Sequence, residues 1–447
     1  VVWEDSRNSG STNRYDVYGA RVSSGGQIVD PSHFPVSGYA SNQQNPCVTW
    51  GGTNFFVVWS DYRRGNTTDL YAARVSNSGH VLDSNGMAIC SAAEDQSIPS
   101  AAWNGSQFLV AWQTFTHADD LSHIFAERVS ETGGVLDASP FRVSKAGNYE
   151  WESDAAWGRT NWLVVWRDNL DETTSDIRGA RVGIDGLPLD PGGITICAAT
   201  NWQTDPSVAW GGTNYLVVWA DERNLASNAM EYADLYAARV SDAGQVVDPN
   251  GIVLCTNLGP QAVPDVACGT NGVFLVVWED YLTPPEGGNY RGDIGGARVN
   301  NAGTVLDQGY NLIPVSTATN HQFGPEVAAG PTNFLVAWHD RRNGRNYSIY
   351  AARVDSARNV LDPSAIAVGV GSTNSLDPDV AWGGTNFFVV WEDYRGSSQG
   401  WCDIYGGRVS AGGAVLDGTG GFAICTETNI QSDPVVGWSG TNFFAMW

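Results

Sequence analysis

Residues 206–223, PSVAWGGTNYLVVWADER, followed by ADLYAARVSDAGQVVD over 233–248, decide the fold of this chain. The unit returns as PCVTWGGTNFFVVWSDYR at 46–63 and as PDVAWGGTNFFVVWEDYR at 378–395, with more divergent copies between. The tryptophan that ends the VVW run stands at Trp3, Trp59, Trp112, Trp166, Trp219, Trp278, Trp338, Trp391 and Trp447, spaced by 53 to 60 residues. That period is too long for one hairpin and suits four strands. Each copy reads as PxVAW, then an apolar run such as YLVVW, then DLYAARV, then QVVDPNGIVLC. β-Branched and aromatic runs with Gly/Asn punctuation and no helical period predict strands throughout.

Four-stranded units repeated end to end are the sequence signature of a β-propeller. The order PxVAWxGxNYLVVWxD…DIYxxRVxxxG resembles the TolB-like propeller repeats of secreted bacterial proteins, over essentially the whole chain. The resemblance implies that PxVAW is the innermost strand A, YLVVW strand B, DIYxxRV strand C and VVD…IVLC the outermost strand D. It also implies an extracellular or cell-surface location, and it brings no catalytic residues. The expectation is an all-β, eight-bladed propeller of four-stranded antiparallel blades, residues 1–447 forming one domain. The chain starts with strands C and D of one blade and ends with A and B of another, so N- and C-terminal strands close the ring. Val1–Trp3 then looks like a ninth, supernumerary B strand, and the opening in mid-motif at VVWED suits a segment of a longer protein.

The formal charge is −24, from 24 basic and 48 acidic residues. Such a chain repels nucleic acid and anionic membrane surfaces. Its longest apolar runs are six-residue pieces such as VFLVVW at 273–278, too short for membrane insertion. The partners expected are carbohydrate or protein, with self-assembly or fusion to other domains as further options. Of seven cysteines, Cys90, Cys197, Cys255 and Cys425 share a repeat position that elsewhere carries serine, and all seven read as unpaired small hydrophobes.

Three repeated polar elements stand out. Each strand C carries an Arg and each strand D an Asp nine residues later, as in Arg74 with Asp83 and Arg239 with Asp248. A two-residue x-Gly hairpin turn between them sets the two opposite each other, and the reading is a structural ion pair. The second element, Gln-x-x-Pro, leads into strand A and places Gln43, Gln96, Glu150, Gln203, Gln261, Gln322 and Gln431 as a candidate polar ring at the axial mouth. The simpler reading has each amide bonding the backbone of the D-to-A crossover. The third is an acidic pair flanking each B–C loop, such as Asp61 with Asp69. Calcium is a lesser alternative there, because the DxDxDG spacing is absent and Arg7, Arg63, Arg223, Arg341 and Arg395 follow closely to satisfy the first Asp. No cofactor or resident metal is expected.

Function on a repeat scaffold is carried where the repeat breaks. The separation from the motif Trp to strand C is ten residues at Trp59, Trp166 and Trp338 but fifteen at Trp219 and Trp278. The two long loops, 222–232 and 281–291, belong to adjacent blades, and the D–A loop before them carries Trp202. Trp202, Glu222, Tyr232, Tyr281 and Tyr290 form the candidate ligand site, with aromatic faces for sugar C–H groups and carboxylates for hydroxyls. No catalytic residues are assigned: there is no nucleophile elbow, HExxH, phosphate loop or zinc spacing. His117, Asp119, Asp120 and His123 share one loop, and His321 and His339 one blade, but solvated loop residues are the better reading. The leading expectation is a non-catalytic propeller that binds carbohydrate or a protein partner through its B–C/D–A face. A structural module of a larger adhesive protein, and a propeller glycoside hydrolase or polysaccharide lyase, are the alternatives.

Overall fold

The apolar run at the centre of each repeat forms strand B, buried on both faces because alternate residues meet the two neighbouring blades. In blade 4, A spans Gln203–Trp210, B Asn214–Asp221, C Asp234–Ser241 and D Ile252–Cys255. From its B strand, Leu216 and Val218 pack with Val276 and Trp278 of blade 5, while Tyr215, Val217 and Trp219 pack with Leu163 and Val165 of blade 3. A two-sided core of this kind erases the in–out alternation of a one-sided sheet. The computed structural model describes residues 3–7, 14–65, 67–144, 147–171, 173–224, 233–257, 259–282, 291–307, 309, 312–396 and 401–446. It is an all-β, eight-bladed propeller. Blades 1 to 7 cover 43–90, 95–142, 149–197, 203–255, 261–316, 322–369 and 375–425, each an A-B-C-D antiparallel sheet.

Both chain ends build blade 8, and its B strand is split between them. Asn442–Met446 pairs with Val435–Trp438 and with the second half of strand C, Met446 opposite Gly19. Trp3–Asp5 carries the same line onward, with Trp3 opposite Tyr18 and Glu4 opposite Ser432. The expectation of a supernumerary ninth strand is therefore corrected: the first residues complete the strand that the last ones begin. Read together, NFFAM and WED reproduce NFFVVWED of blade 7.

The Arg–Asp pairs lie across the C–D hairpins. Arg239 Nε and Nη2 donate to Asp248 Oδ2 and Oδ1 at 2.8 and 2.9 Å, and Arg74 Nε to Asp83 Oδ2 at 2.8 Å. In seven blades the remaining Nη1 donates to a carbonyl in the C–D turn of the next blade, as Arg239 does to Asn301. In the blade 5 turn a glycine makes room for the guanidinium: Gly303 has φ 79°, and a Cβ there would fall 2.5 Å from Arg239 Nε, whereas blade 6 places Arg358, with φ 81°, at the equivalent position. The pair thus clasps one blade to the next as well as one strand to its neighbour. All seven cysteines are free, five of them buried.

Candidate functional site

The glutamines of the Gln-x-x-Pro motif are fully buried, as are Glu150 and Ser375 at the equivalent positions. Their amides turn back into the crossover: Gln203 Nε2 donates to the Thr200 and Asn201 carbonyls, Gln322 to those of Ala318, Thr319 and Asn320, and Gln431 to that of Asn429. Gln43 bonds Ser37 Oγ and the Tyr39 carbonyl, Gln96 the Glu94 carbonyl, and Gln261 those of Asn257 and Gly259. Glu150 accepts from Ile124 N at 2.9 Å. These side chains staple the crossovers and do not line the axial mouth.

The mouth is lined by residues that follow in strand A. Register shifts between Thr204 and Ser207, and at the equivalent place in the other continuous A strands, mark a bulge before each proline position. The residue there has positive φ in every blade, from 47° at Asp377 to 57° at Gly324, including the β-branched Ile98 and Val263. Such a conformation persists only where its surroundings impose it. Here the exposed N–H is held across the blade boundary: Glu4 accepts from Asn45, Glu152 from Asp205, Glu279 from Gly324 and Glu392 from Asp433, at 2.8 to 3.1 Å. Two residues deeper, Asp154, Asp265 and Asp379 accept the N–H of Val208, Val327 and Val436 of the next blade at 2.6 to 2.9 Å. Their other oxygens accept the N–H of their own successors. Ser207 bridges Asp154 and Asp265, and Glu326 shares a hydrogen bond with Asp265. A cavity of about 390 Å³ opens at this mouth, lined by Asn45, Gly324, Glu326, Asp377, Asp379 and Asp433 among others.

Burial pushes these carboxyls upward: Glu4 and Glu392 to about 7, Asp379 to about 6, with Glu326 well above its ordinary range beside Asp265 and Asp379. A glycosidase needs two carboxyls separated widely enough for a sugar and a water or a nucleophilic approach, about 5 Å or more. Glu326 and Asp265 are joined to each other, and the three axial aspartates spend both oxygens on backbone N–H groups.

At the B–C loops, Asp61 accepts Trp59 Nε1 at 2.9 Å and Arg63 Nη2 at 2.6 Å, and the guanidinium lies 3.5 Å from the Tyr71 ring centre. Asp5, Asp221 and Asp393 hold Arg7, Arg223 and Arg395 in the same way. For Asp340 the partner is Arg342, not the expected Arg341, whose guanidinium lies 5.7 Å from the Tyr347 ring. His123 is engaged at both nitrogens, with Asp119 at 3.0 Å and Arg142 at 2.6 Å. Among the described residues no group of three His, Cys, Asp or Glu is arranged to hold a metal ion.

Of the five candidate ligand residues, Tyr232 and Tyr290 lie outside the described residues. Trp202 and Glu222 are neighbours, the Glu222 N–H donating to the Trp202 carbonyl at 2.8 Å, and Arg167 stands 4.7 Å over the Trp202 ring. Tyr281 belongs to a different group. Its hydroxyl donates to Glu279 at 2.5 Å and its ring meets Phe323 at 5.8 Å. Phe323 in turn stacks on His321 at 5.3 Å and meets His339 at 5.8 Å and Tyr347 at 6.1 Å. Five half-buried rings from blades 5 and 6 therefore meet on the loop face. Gly324 permits the approach, since a Cβ there would stand 3.1 Å from His339 Cε1. Burial lowers His339 to about 4 and, with Arg341, lowers His321, so both imidazoles are neutral near pH 7. The signal for this cluster was in the sequence: blades 1, 2, 4 and 5 carry Gln44, Ser97, Thr204 and Ala262 where blade 6 carries Phe323. Trp151 of blade 3, at the same position and 38% exposed, stacks on Tyr149 at 5.8 Å.

No family model matches the chain, and no curated protein does. Among solved structures it is similar to the β-propeller domain of the Trilobed protease from Pyrococcus furiosus, at 8% identity and TM-score 0.48, over 87% of this chain and 96% of that one. It is also similar to Pyrococcus horikoshii acylaminoacyl peptidase, at 10% identity and TM-score 0.45, over 85% of this chain and 52% of that one. A GH43 endo-arabinanase from Bacillus licheniformis aligns at 11% identity and TM-score 0.32, over 59% of this chain and 96% of that one. These likenesses concern the fold alone and carry no residue role to this chain.

Proposed function

We propose that the chain is a non-catalytic, extracellular binding propeller of TolB-like type that takes a neutral carbohydrate on its loop face. The observation that supports this reading best is the meeting of five half-buried rings, Tyr281, His321, Phe323, His339 and Tyr347, around Phe323, whose position is small or polar in most other blades. Ring faces suit the C–H side of a sugar, and Glu279, the tyrosine hydroxyls and neutral imidazoles suit its hydroxyls. The acidic mouth beside it disfavours anionic glycans. Trp202 with Trp151 and Tyr149 offers a second aromatic surface for a longer chain. The axial carboxyls, engaged with backbone N–H groups or with each other, favour binding over hydrolysis. Stacking and a few hydrogen bonds give modest energies, so a single site should bind at roughly millimolar to micromolar Kd. A glycan array probed with the purified protein should return neutral oligosaccharides, and incubation should leave them uncleaved. An array returning only acidic glycans or none, or oligosaccharides shortened on incubation, would count against the reading.

A further inference from the structure

Blade 5 lacks an internal part that five other blades share. In those, an aspartate at the end of strand B is capped by the arginine two residues on, at 2.5 to 2.6 Å, and that guanidinium stacks 3.5 to 4.1 Å over a strand-C tyrosine. In four of them the motif tryptophan Nε1 also donates to the aspartate at 2.7 to 2.9 Å. Blade 2 replaces the aspartate with Thr114, which takes Trp112 Nε1 at 2.9 Å. Blade 3 supplies its cation from strand C, Arg178 Nε standing 2.7 Å from Asp168, and its Trp166 Nε1 is left without a partner.

Blade 5 keeps the aspartate, Asp280, and loses the rest. Leu282 stands where the arginine would be, and Gly295 where the tyrosine would be. Among the described residues Asp280 forms no ion pair; it accepts from Gln261 Nε2 at 3.1 Å and from the Asn257 side chain. Trp278 is fully buried, yet among the described residues its Nε1 has no hydrogen-bond partner, and it lies 2.7 Å from where a Cβ on Gly295 would be. A buried donor left without an acceptor has lost its bond to water and gained nothing in return. Beside it is a cavity of about 240 Å³, lined by Asn257, Asp280, Asp293, Gly295, Leu312 and Thr317 among others. Asp293 meets Arg291 at 3.1 Å, and that side chain is 38% exposed.

We propose that this cavity is a socket for a guanidinium group supplied from outside the chain, occupying the place an internal arginine fills in five other blades. The planar cation would pair with Asp280 and free that carboxylate to take the Trp278 N–H, as its counterparts do. The site lies on the opposite face of strand B from Tyr281 and Glu279, and it stands whether or not the aromatic cluster binds a sugar.

The test is a titration of protein labelled with ¹⁵N at tryptophan, following the indole N–H signal that is missing from Trp278→Phe. Acetyl-arginine amide represents a peptide-borne side chain, agmatine a free guanidinium, and acetyl-citrulline amide the neutral isostere. A saturable shift with either guanidinium compound, at least tenfold weaker with citrulline and lost in Asp280→Asn, is expected; the tighter of the two assigns the natural source. Leu282→Arg restores the internal arginine and should abolish the shift while raising the melting temperature, so it decides the matter should Asp280→Asn fail to fold. No saturable shift in the wild type, an equal response to citrulline, or full binding by Leu282→Arg would overturn the proposal.

Discussion

Arg239→Ala is expected to destabilise the ring by about 2–3 kcal/mol, between the cost of losing an exposed ion pair and that of breaking a fully buried one, because both partners are partly solvated. Three contacts go at once. The bidentate pair to Asp248 is lost at 2.8 and 2.9 Å, the bond to the Asn301 carbonyl of blade 5 is lost at 3.2 Å, and the space over Gly303 is left empty. Asp248→Ala should cost a similar amount, because that carboxylate also accepts the Arg239 backbone N–H at 3.0 Å. Urea unfolding of both single variants and the double variant measures the coupling, which should exceed about 1 kcal/mol. Additive losses would reduce the clasp to two unrelated surface charges. Ligand affinity of the folded variants should be unchanged, since the clasp lies at the C–D turns, at the other end of the strands from the loop face.

Glu127→Ala carries the opposite sign. Six other blades place alanine here, at Ala20, Ala73, Ala180, Ala238, Ala297 and Ala352. Its strand neighbours Phe125 and Val129 pack into the apolar core between blades 1 and 2, with Leu70 and Cys90. Glu127 is 2% exposed, its Oε2 has no partner, and burial, with a smaller push from Asp137, raises its carboxyl to about 8. A carboxyl with a raised folded value binds more protons folded than unfolded between about pH 4.5 and 8. Its contribution to stability is therefore intact below about pH 4.5 and lost as pH climbs through about 8. Ionising it inside the fold costs about 3–5 kcal/mol. Removing its methylenes offsets about 1–2 kcal/mol of any gain. The variant should thus be more stable than wild type by about 2 kcal/mol at pH 9, with no advantage at pH 5. Urea midpoints at the two pH values check this; a gain of equal size at both would mean that packing, not charge, governs the site.

The blades, their strands and the C–D pairs were legible because each is written eight times at fixed spacing. What the sequence hid lies where backbone geometry departs from the simple strand. The simpler reading of Gln-x-x-Pro, each amide bonded to the crossover backbone, is what the structure has, but the bulge before Pro206 and its equivalents skips the count of two and the strand pattern does not announce it. Nor does it announce that Asp265, Glu326 and Asp379 turn to the axis. Partner choice is hidden as well: Arg341 and Arg342 are adjacent, and only loop geometry gives Asp340 to the second. Trp202 and Tyr281 were grouped because their loops are neighbours, but each ring finds its contacts within its own sector. Phe323 escaped notice because it sits at a repeat position in strand A, where the eye is on symmetry. Comparing the eight copies column by column exposes it.

The measurement that tests the functional account most directly is a pair of binding isotherms with the best neutral oligosaccharide from the array. One is for the wild type and one for Phe323→Ala/Tyr347→Ala, which removes two rings from half-buried positions and leaves every blade-to-blade bond in place. The account predicts affinity lowered at least tenfold with the melting temperature nearly unchanged. Undiminished binding by the folded double variant would contradict it and move the ligand site away from blades 5 and 6.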